Sequence, residues 1–225
     1  MAEVSIVIPI LNDAAALERL LAELRPALAK DVVEIIVSDG GSGDDGPVLA
    51  GAAGCRIVST PPGRGRQLAA GAADARADWL WFLHADSAGT APALDWLARH
   101  RDGPAWGRFD VRLEPAGRML RLVGFLMNQR SRLTGICTGD QGIFVHRVLL
   151  ERAGGMPEQP LMEDIELSRR LKRLGWPLCP RVALLTSSRR WRDRGAVRTI
   201  LGMWWFRLRY WLGADPERLA RAYYR

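Results

Sequence analysis

Several carboxylates in this chain stand where the surrounding residues would leave them reachable by a ligand. Asp86 ends the run Trp79-Leu80-Trp81-Phe82-Leu83-His84-Ala85-Asp86. Such a run reads as a buried parallel strand that carries a carboxylate to its carboxyl end, the edge where open α/β sheets place ligands. A carboxylate there suits a hard divalent cation, Mg²⁺ or Mn²⁺, shared with substrate phosphates. His84 would project to the same side of a strand as Asp86, because side chains alternate with a period of two. It is the second candidate ligand, although a lone strand-end histidine is also satisfied by a hydrogen bond. Asp39 ends Glu34-Ile35-Ile36-Val37-Ser38-Asp39 and precedes Gly40-Gly41-Ser42-Gly43-Asp44. In a mononucleotide-binding sheet an acid there accepts from a ribose hydroxyl or a base N–H. The competing reading is a helix N-cap, which Ser42, Asp44 or Asp45 could supply instead. Glu163-Asp164 opens a helix after the Pro-containing loop Met156-Pro157-Glu158-Gln159-Pro160. One of the pair could be a general base aimed by rigid structure. Taken alone, satisfaction of orphan N–H groups at the helix start explains it better.

Gly63-Arg64-Gly65-Arg66 has the texture of a phosphate-binding turn. It does not match the dinucleotide fingerprint, because it follows a third strand and Leu68 occupies the place of the third glycine. It also lacks the Gly-Lys-Ser/Thr of a P-loop.

The elements needed to position these groups are legible around them. Val4 to Ile8 is a β-branched strand with Pro9 closing its ladder. Asn12 or Asp13 would cap the following helix, whose Leu17, Leu20, Leu21, Leu24 and Leu28 mark one face. Strands at 34–39 and 56–59, an Ala-rich helix running to Arg76 and the strand ending in Asp86 complete a βαβ series, hence a parallel sheet with right-handed crossovers. Further on, Phe109, Val111 and Leu113 alternate with charged residues, as in a strand with one wet face and an antiparallel neighbour. A helix from Met119 to Leu133, a strand at 143–145, an acid-led helix from Glu163 to Leu174 and a strand near 182–185 follow.

The 225 residues suffice for one domain with an extension, with 48% hydrophobic and 25% charged residues as in ordinary globular proteins. The net charge of +7 is carried by arginine, with lysine only at positions 30 and 172. Genome base composition accounts for this as well as an anionic partner does. Cys55, Cys137 and Cys179 have no metal-ligand spacing, which favours a reducing compartment over disulfides or zinc. Neither a secretory leader nor a membrane-spanning run of about 20 apolar residues is present, so a cytoplasmic protein is expected.

In this order and at these spacings the blocks resemble family 2 glycosyltransferases of the GT-A fold. Ser5-Ile6-Val7-Ile8-Pro9 with Asn12, and Val37-Ser38-Asp39-Gly40-Gly41-Ser42, are similar to that family's opening. Gly63 to Gly71, with Arg66 and Gln67, resembles its third block, and His84-Ala85-Asp86-Ser87 its metal-binding acidic motif. Gly139-Asp140-Gln141-Gly142 and Met162-Glu163-Asp164-Ile165-Glu166 resemble its acceptor-side blocks. The resemblance implies an α/β domain over 1–190 with a mixed, mainly parallel Rossmann-like sheet flanked by helices. Its nucleotide-binding half would be 1–87 and its acceptor half 88–190, followed by an amphipathic helical extension over 191–225.

The resemblance further implies that Asp39 and the Pro9 backbone hold the nucleotide, with Gly63, Arg66, Gln67 and Ala85 beside them. Asp86, with His84, would hold Mn²⁺ or Mg²⁺ on the diphosphate of a nucleotide-sugar donor, most simply a UDP-sugar. Asp164 would deprotonate an acceptor hydroxyl for inverting displacement. Gly139, Asp140, Gln141, Glu163, Arg190 and Trp191 would line the acceptor and diphosphate side. His84 replaces the first acid of the usual metal motif. Ser187 replaces the glutamine of the processive synthases' Gln-x-x-Arg-Trp motif, and this with the missing membrane spans implies transfer of a single sugar.

From Val197 to Leu212, apolar residues including Trp204 and Trp211 share one helical face, with arginines around it. Packing on the domain or on a sister subunit is one expectation. A helix lying in an anionic headgroup layer on the inner face of the cell membrane, serving a lipid-linked acceptor, is the other. A nucleotidyltransferase would share the half-sheet and the metal acid, but it would carry a basic Gly-rich loop where Ile10-Leu11-Asn12-Asp13 stands. A non-catalytic protein binding membrane or nucleic acid through the basic tail has no need for acids at several strand ends. No nucleic-acid partner is therefore expected.

Overall fold

The computed structural model describes residues 3–30, 32–100, 102–115, 117–187 and 196–223. Arg190 and Trp191 lie outside the described residues.

The core is a six-stranded sheet. β1 (Val4–Ile10), β2 (Val33–Asp39), β3 (Arg56–Ser59) and β4 (Trp79–Phe82) run parallel in the order β3-β2-β1-β4. β8 (Phe144–His146) pairs antiparallel with β4, and β6 (Trp106–Gly107) pairs antiparallel with β8, so β6 again runs with the parallel strands. Period-two alternation explains why the parallel strands are apolar throughout. Ile6, Ile8, Ile35, Val37, Trp79 and Trp81 enter the core on one face, while Val7, Ile36, Leu80 and Phe82 enter the core on the other. Helix α1 (Ala14–Leu28) covers the first face through Leu17, Leu20, Leu21 and Leu24, as its periodicity requires. Helices α3 (Arg64–Asp74) and α7 (Glu163–Leu171) help cover the second, through Leu68, Leu167 and Leu171. Short helices α2 (Gly46–Ala52), α4 (Ala91–Arg99) and α6 (Arg147–Arg152) complete the layers.

Four sequence expectations change. Pro9 does not end β1, which continues to Ile10 with Pro9 opposite Ser38. The cap of α1 comes from neither Asn12 nor Asp13: Ala14 N–H donates to Asp44 Oδ2 at 2.9 Å, and Asn12 Oδ1 accepts from Gly43 N–H at 2.8 Å. Each group is satisfied by the loop that the sheet brings alongside. The apolar run from Trp79 is strand only as far as Phe82, so His84 and Asp86 stand on a turn. Strand alternation therefore does not set their directions. Finally β7 (Asp110–Glu114) is parallel, not antiparallel, to its neighbour β9 (Ala183–Ser187). These two and β5 (Ser87–Ala88) form a separate three-stranded sheet in the order β5-β9-β7. One wet face reports burial on one side, and burial is blind to strand direction.

Helix α5 (Arg118–Thr134) lies on β7, with Val123 and Met127 against Val111 and Leu113. The C-terminal extension is two helices, α8 (Ala196–Trp211) and α9 (Pro216–Tyr223). They dock on the acceptor half, where Leu219 and Ala220 bury against Leu161. Tyr210 Oη also donates to Glu166 Oε2 at 3.1 Å. Arg169 and Arg170 grip the same carboxylate and, with Tyr210, bring its pKa down to about 2. Cys55, Cys137 and Cys179 are free thiols. Among the described residues no helix is long and apolar enough to cross a membrane.

Candidate active site

The carboxyl ends of β1 and β4 open into a cleft of about 850 Å³, a volume within the range of small-molecule sites. Its floor is Pro9 and Ile10 from β1 with His84, Ala85 and Asp86 from the turn after β4. One wall is Gly63, Arg64 and Gln67 at the start of α3. The opposite wall is Thr138-Gly139-Asp140 and the start of α7, including Asp164. Met203, Phe206 and Arg207 of α8 and Arg221 and Tyr223 of α9 also face it.

The acceptor-side wall owes its shape to a 3₁₀ turn, Gly139–Gln141, closed by a capping box between Thr138 and Gln141. Gln141 is fully buried, and its Nε2 donates to Ser131 Oγ at 3.0 Å, so it ties the turn to α5 and does not itself line the cleft. Gly142 follows at φ +56, and an added Cβ would lie 2.4 Å from Leu184 Cδ1, so the turn needs glycine on two counts.

Asp164, in the first turn of α7, faces this turn. Its Oδ2 accepts from Gly139 N–H at 2.9 Å and its Oδ1 from Ile165 N–H at 2.7 Å. Burial, and the neighbouring Glu163 carboxylate, push its pKa above the ordinary carboxylate range, against the opposing pull of Arg64 and the two N–H groups. Glu163 is itself buried and ion-paired with Arg64. The residue before the pair, Met162, holds left-handed backbone at φ 65, an uncommon conformation for a side chain of that size and costly by about 1 kcal/mol or more.

Across the cleft His84 Nδ1 lies 3.2 Å from Asp140 Oδ1, and Asp86 is exposed two residues further on. Among the described residues no three His, Cys, Asp or Glu side chains are grouped to hold a metal by themselves. The donors present instead fit a hard cation that draws its remaining ligands from phosphate oxygens and water, since Mg²⁺ commonly takes only one or two carboxylates from protein.

Asp39 lies at the carboxyl end of β2, opposite Ile10, but off the cleft wall. Its carboxylate accepts from Gly41 N–H at 3.2 Å and Ser42 N–H at 3.0 Å, so it shapes its own loop. Gln67 reaches the cleft, yet its Nε2 donates to Ile10 O at 2.6 Å and Ser38 O at 2.8 Å and ties the two strand ends together. The cleft thus gathers Pro9, Gly63, Gln67, His84, Ala85, Asp86, Gly139, Asp140 and Asp164, and it leaves Asp39, Arg66, Gln141 and Glu163 off its surface. Of the Gly-Arg-Gly-Arg turn it is Arg64, not Arg66, that faces it. Arg64, Arg207 and Arg221 are cationic residues to which the family resemblance assigned no role. In an arginine-rich chain nothing distinguishes them before the elements pack.

Comparison with known proteins adds to this geometry. The model of the family described as Glycosyl transferase family 2 matches residues 5–120. Glucosyl-3-phosphoglycerate synthases of Mycobacterium tuberculosis and Mycobacterium bovis are each 33% identical over 104 residues, 42% of this chain and 32% of theirs. The match thus spans about a third of the length of these curated relatives. A crystal structure of glucosyl-3-phosphoglycerate synthase from M. tuberculosis with Mn²⁺, UDP and glucosyl-3-phosphoglycerate has a TM-score of 0.59 at 24% identity, over 82% of this chain and 71% of that one. Another structure of that enzyme, with Mg²⁺ and UDP, has a TM-score of 0.58 at 25% identity over 82% and 70%. The architecture is that of the GT-A fold, and this chain belongs to glycosyl transferase family 2.

Proposed function

We propose that the chain is an inverting, non-processive glycosyltransferase that moves one sugar from a UDP-sugar to an acceptor hydroxyl. The observation that carries this is Asp164: a carboxylate of raised pKa, held by two backbone N–H groups, in the same cleft as Asp86. Asp164 takes the acceptor proton as the acceptor oxygen bonds to the anomeric carbon. The bond from that carbon to the phosphate oxygen breaks, and UDP leaves with the electron pair. The N–H groups of Gly139 and Ile165 hold the base in place, so little reorganisation accompanies the step. Asp86, with His84 nearby, would hold a divalent cation, which would supply positive charge to the departing diphosphate. Pro9, Gly63, Gln67 and Ala85 take the nucleotide side, with Asp39 shaping the loop for base or ribose and Arg64 supplying the cation that the turn offers. Gly139 and Asp140 take the acceptor side, with Gln141 tying their turn to α5 and Glu163 paired with Arg64 behind it. The test is thermal shift with nucleoside diphosphates, with and without Mn²⁺. UDP with Mn²⁺ should raise Tm more than either alone, because a ligand that binds only the native state stabilises it. Release of pyrophosphate from UTP in the presence of a sugar 1-phosphate, with no UDP formed from a UDP-sugar, would point to a nucleotidyltransferase.

The acceptor is lipid-linked in this reading, and the enzyme works from the cytoplasmic face of a membrane. Trp204, Trp205, Leu208 and Trp211 on α8, and Leu212 just past its end, are 49% to 81% exposed, while Met203, Phe206 and Tyr210 turn inward. On α5 Met119, Leu122, Phe125 and Leu126 are likewise exposed, opposite Val123 and Met127. Met203 packs against the cluster that contains Val123 and Met127, so the two helices adjoin. Arg118 and Arg121 are exposed on α5, and the Arg209 guanidinium lies 5.8 Å from the Trp205 ring. Exposed tryptophan edged with arginine suits an anionic headgroup layer, each basic residue near it contributing about 1 kcal/mol. Vesicles with anionic lipid should co-sediment the protein at low salt, and Trp204→Ala with Trp211→Ala should abolish this. Absence of binding at low salt, or a dimer in solution that covers these tryptophans, would replace the membrane with a sister subunit.

A further inference from the structure

We propose that Arg207 of α8 and Arg221 of α9 form a subsite for a phosphate group on the acceptor. Both line the cleft, and both helices lie beyond the residues 5–120 that match the family model, so that match gives neither arginine a role. The two helices are pinned to each other and to the acceptor half. The rings of Phe206 and Tyr223 meet edge to face with centroids 5.4 Å apart. Both rings pack in one cluster with Leu219 and Ala220 against Leu161 and Met162, the residues that lead into Asp164. Arg207 follows Phe206, and Arg221 precedes Tyr223 by two residues. This contact therefore sets both arginines on the wall that carries the base.

Arg64, also on the cleft, is ion-paired with buried Glu163. Arg207 and Arg221, by contrast, have no hydrogen-bond or ion-pair partner among the described residues. Asp13, Asp86, Asp140 and Asp164 line the same cleft, so an anionic acceptor would be repelled unless cations met it. A phosphomonoester carries a charge of about −1.5 to −2 near pH 7. Two planar guanidinium forks match that charge and its oxygens better than they match a singly charged carboxylate. Arg207 also stands at a border of α8. It lies three residues after Trp204 and four before Trp211, so it adjoins both exposed tryptophans, while Phe206 beside it turns inward. A phosphate held there is reachable from the cleft and from the tryptophan face, so its carrier is either a soluble phosphomonoester or a lipid headgroup. The phosphate is a spectator, and the hydroxyl that Asp164 deprotonates lies elsewhere on the acceptor. This rests on the transferase reading and not on attachment to a membrane.

The test compares the wild type with two double variants, Arg207→Gln with Arg221→Gln and Arg207→Lys with Arg221→Lys. Inorganic phosphate, titrated calorimetrically over saturating UDP and Mg²⁺, probes the subsite. The glutamine pair should weaken phosphate binding about 10- to 100-fold, the range for losing charged hydrogen bonds, with UDP affinity unchanged. The lysine pair, which keeps the charge without the forks, should fall between and carries the same readings if the glutamine pair does not fold. Arg221 is exposed and Arg207 half-buried, so both variants should melt within about 2 °C of the wild type. Phosphatidylcholine vesicles doped with phosphatidic acid, a phosphomonoester, or with phosphatidylglycerol, a phosphodiester, separate the two sources. A wild-type preference for phosphatidic acid that the glutamine pair loses assigns the phosphate to a lipid headgroup. Phosphate binding without that preference assigns it to a soluble acceptor. No phosphate binding by the wild type, or equal binding by the glutamine pair, overturns the proposal. So does a matching loss of UDP affinity, which would put the arginines on the donor diphosphate. A wild type that does not bind UDP would sink the transferase reading instead, while phosphate binding lost in the glutamine pair would still establish the anion subsite.

Discussion

Asp164→Asn is expected to lower turnover by roughly 10²–10⁴-fold, the contribution typical of a positioned general base, with UDP affinity unchanged. The Asp164 carboxylate has two anchors, Gly139 N–H and Ile165 N–H, and it lines the cleft. Asparagine keeps the shape and loses the basicity. Because the folded pKa lies above the ordinary 3.8, the ionised form is disfavoured in the folded state. Stability from this group is fully present below the unfolded pKa and is lost as pH rises through the folded one. Removing the charge therefore relieves a cost at neutral pH. One amide oxygen replaces only one of the two carboxylate acceptors, which offsets part of that gain, so Tm should stay close to the wild-type value. The same shift places the acidic limb of the kcat/KM profile above the usual aspartate range, with activity rising as Asp164 ionises. Steady-state kinetics with a melting curve separate the outcomes: unaltered turnover removes Asp164 from the mechanism, and a large fall in Tm makes its role structural.

Gly65→Ala should be the most damaging single methyl group at a glycine among residues 3–87. A Cβ on Gly65 would lie 2.3 Å from the Gln159 carbonyl oxygen and 2.7 Å from that of Pro157. Both obstacles are backbone, so neither can swing aside as a side chain would. Overpacking typically costs 1–3 kcal/mol, and a clash with backbone belongs at the top of that range. At this chain length each kcal/mol lowers Tm by about 2–4 °C. Turnover should fall as well, because the displaced loop leads through Pro160 and Leu161 to Met162 and Asp164. Gly63→Ala makes a sharp comparison. There φ is +144 but the nearest atom is the Arg66 side chain at 3.8 Å, so backbone strain acts without the clash. Thermal melts of the two variants by circular dichroism measure the difference. A Gly65→Ala protein as stable as the wild type would mean that α3 and the 157–160 loop are not in contact.

The glycine-rich turn also shows where sequence reading stops. Its composition suggested a phosphate cradle, but Gly65 is glycine because another segment's backbone passes against it. Asp39 teaches the same lesson: the strand end and its acid were legible, and its bonds to Gly41 and Ser42 were not. The capping of α1 by Asp44 joins positions 30 residues apart, which local rules cannot see.

By itself the sequence determined the parallel half-sheet, because strands buried on both faces must be apolar throughout and each helix must show one apolar stripe. It also determined that acids stand at strand and helix ends, since those positions follow directly from where the apolar runs stop. Tertiary structure alone decided which of these acids share a cleft, that β7 and β9 run parallel, and that Arg64 faces the site in place of Arg66. Apolar periodicity encodes which side of an element is buried. It carries no record of the element it is buried against, and chemistry at a site depends on that neighbour.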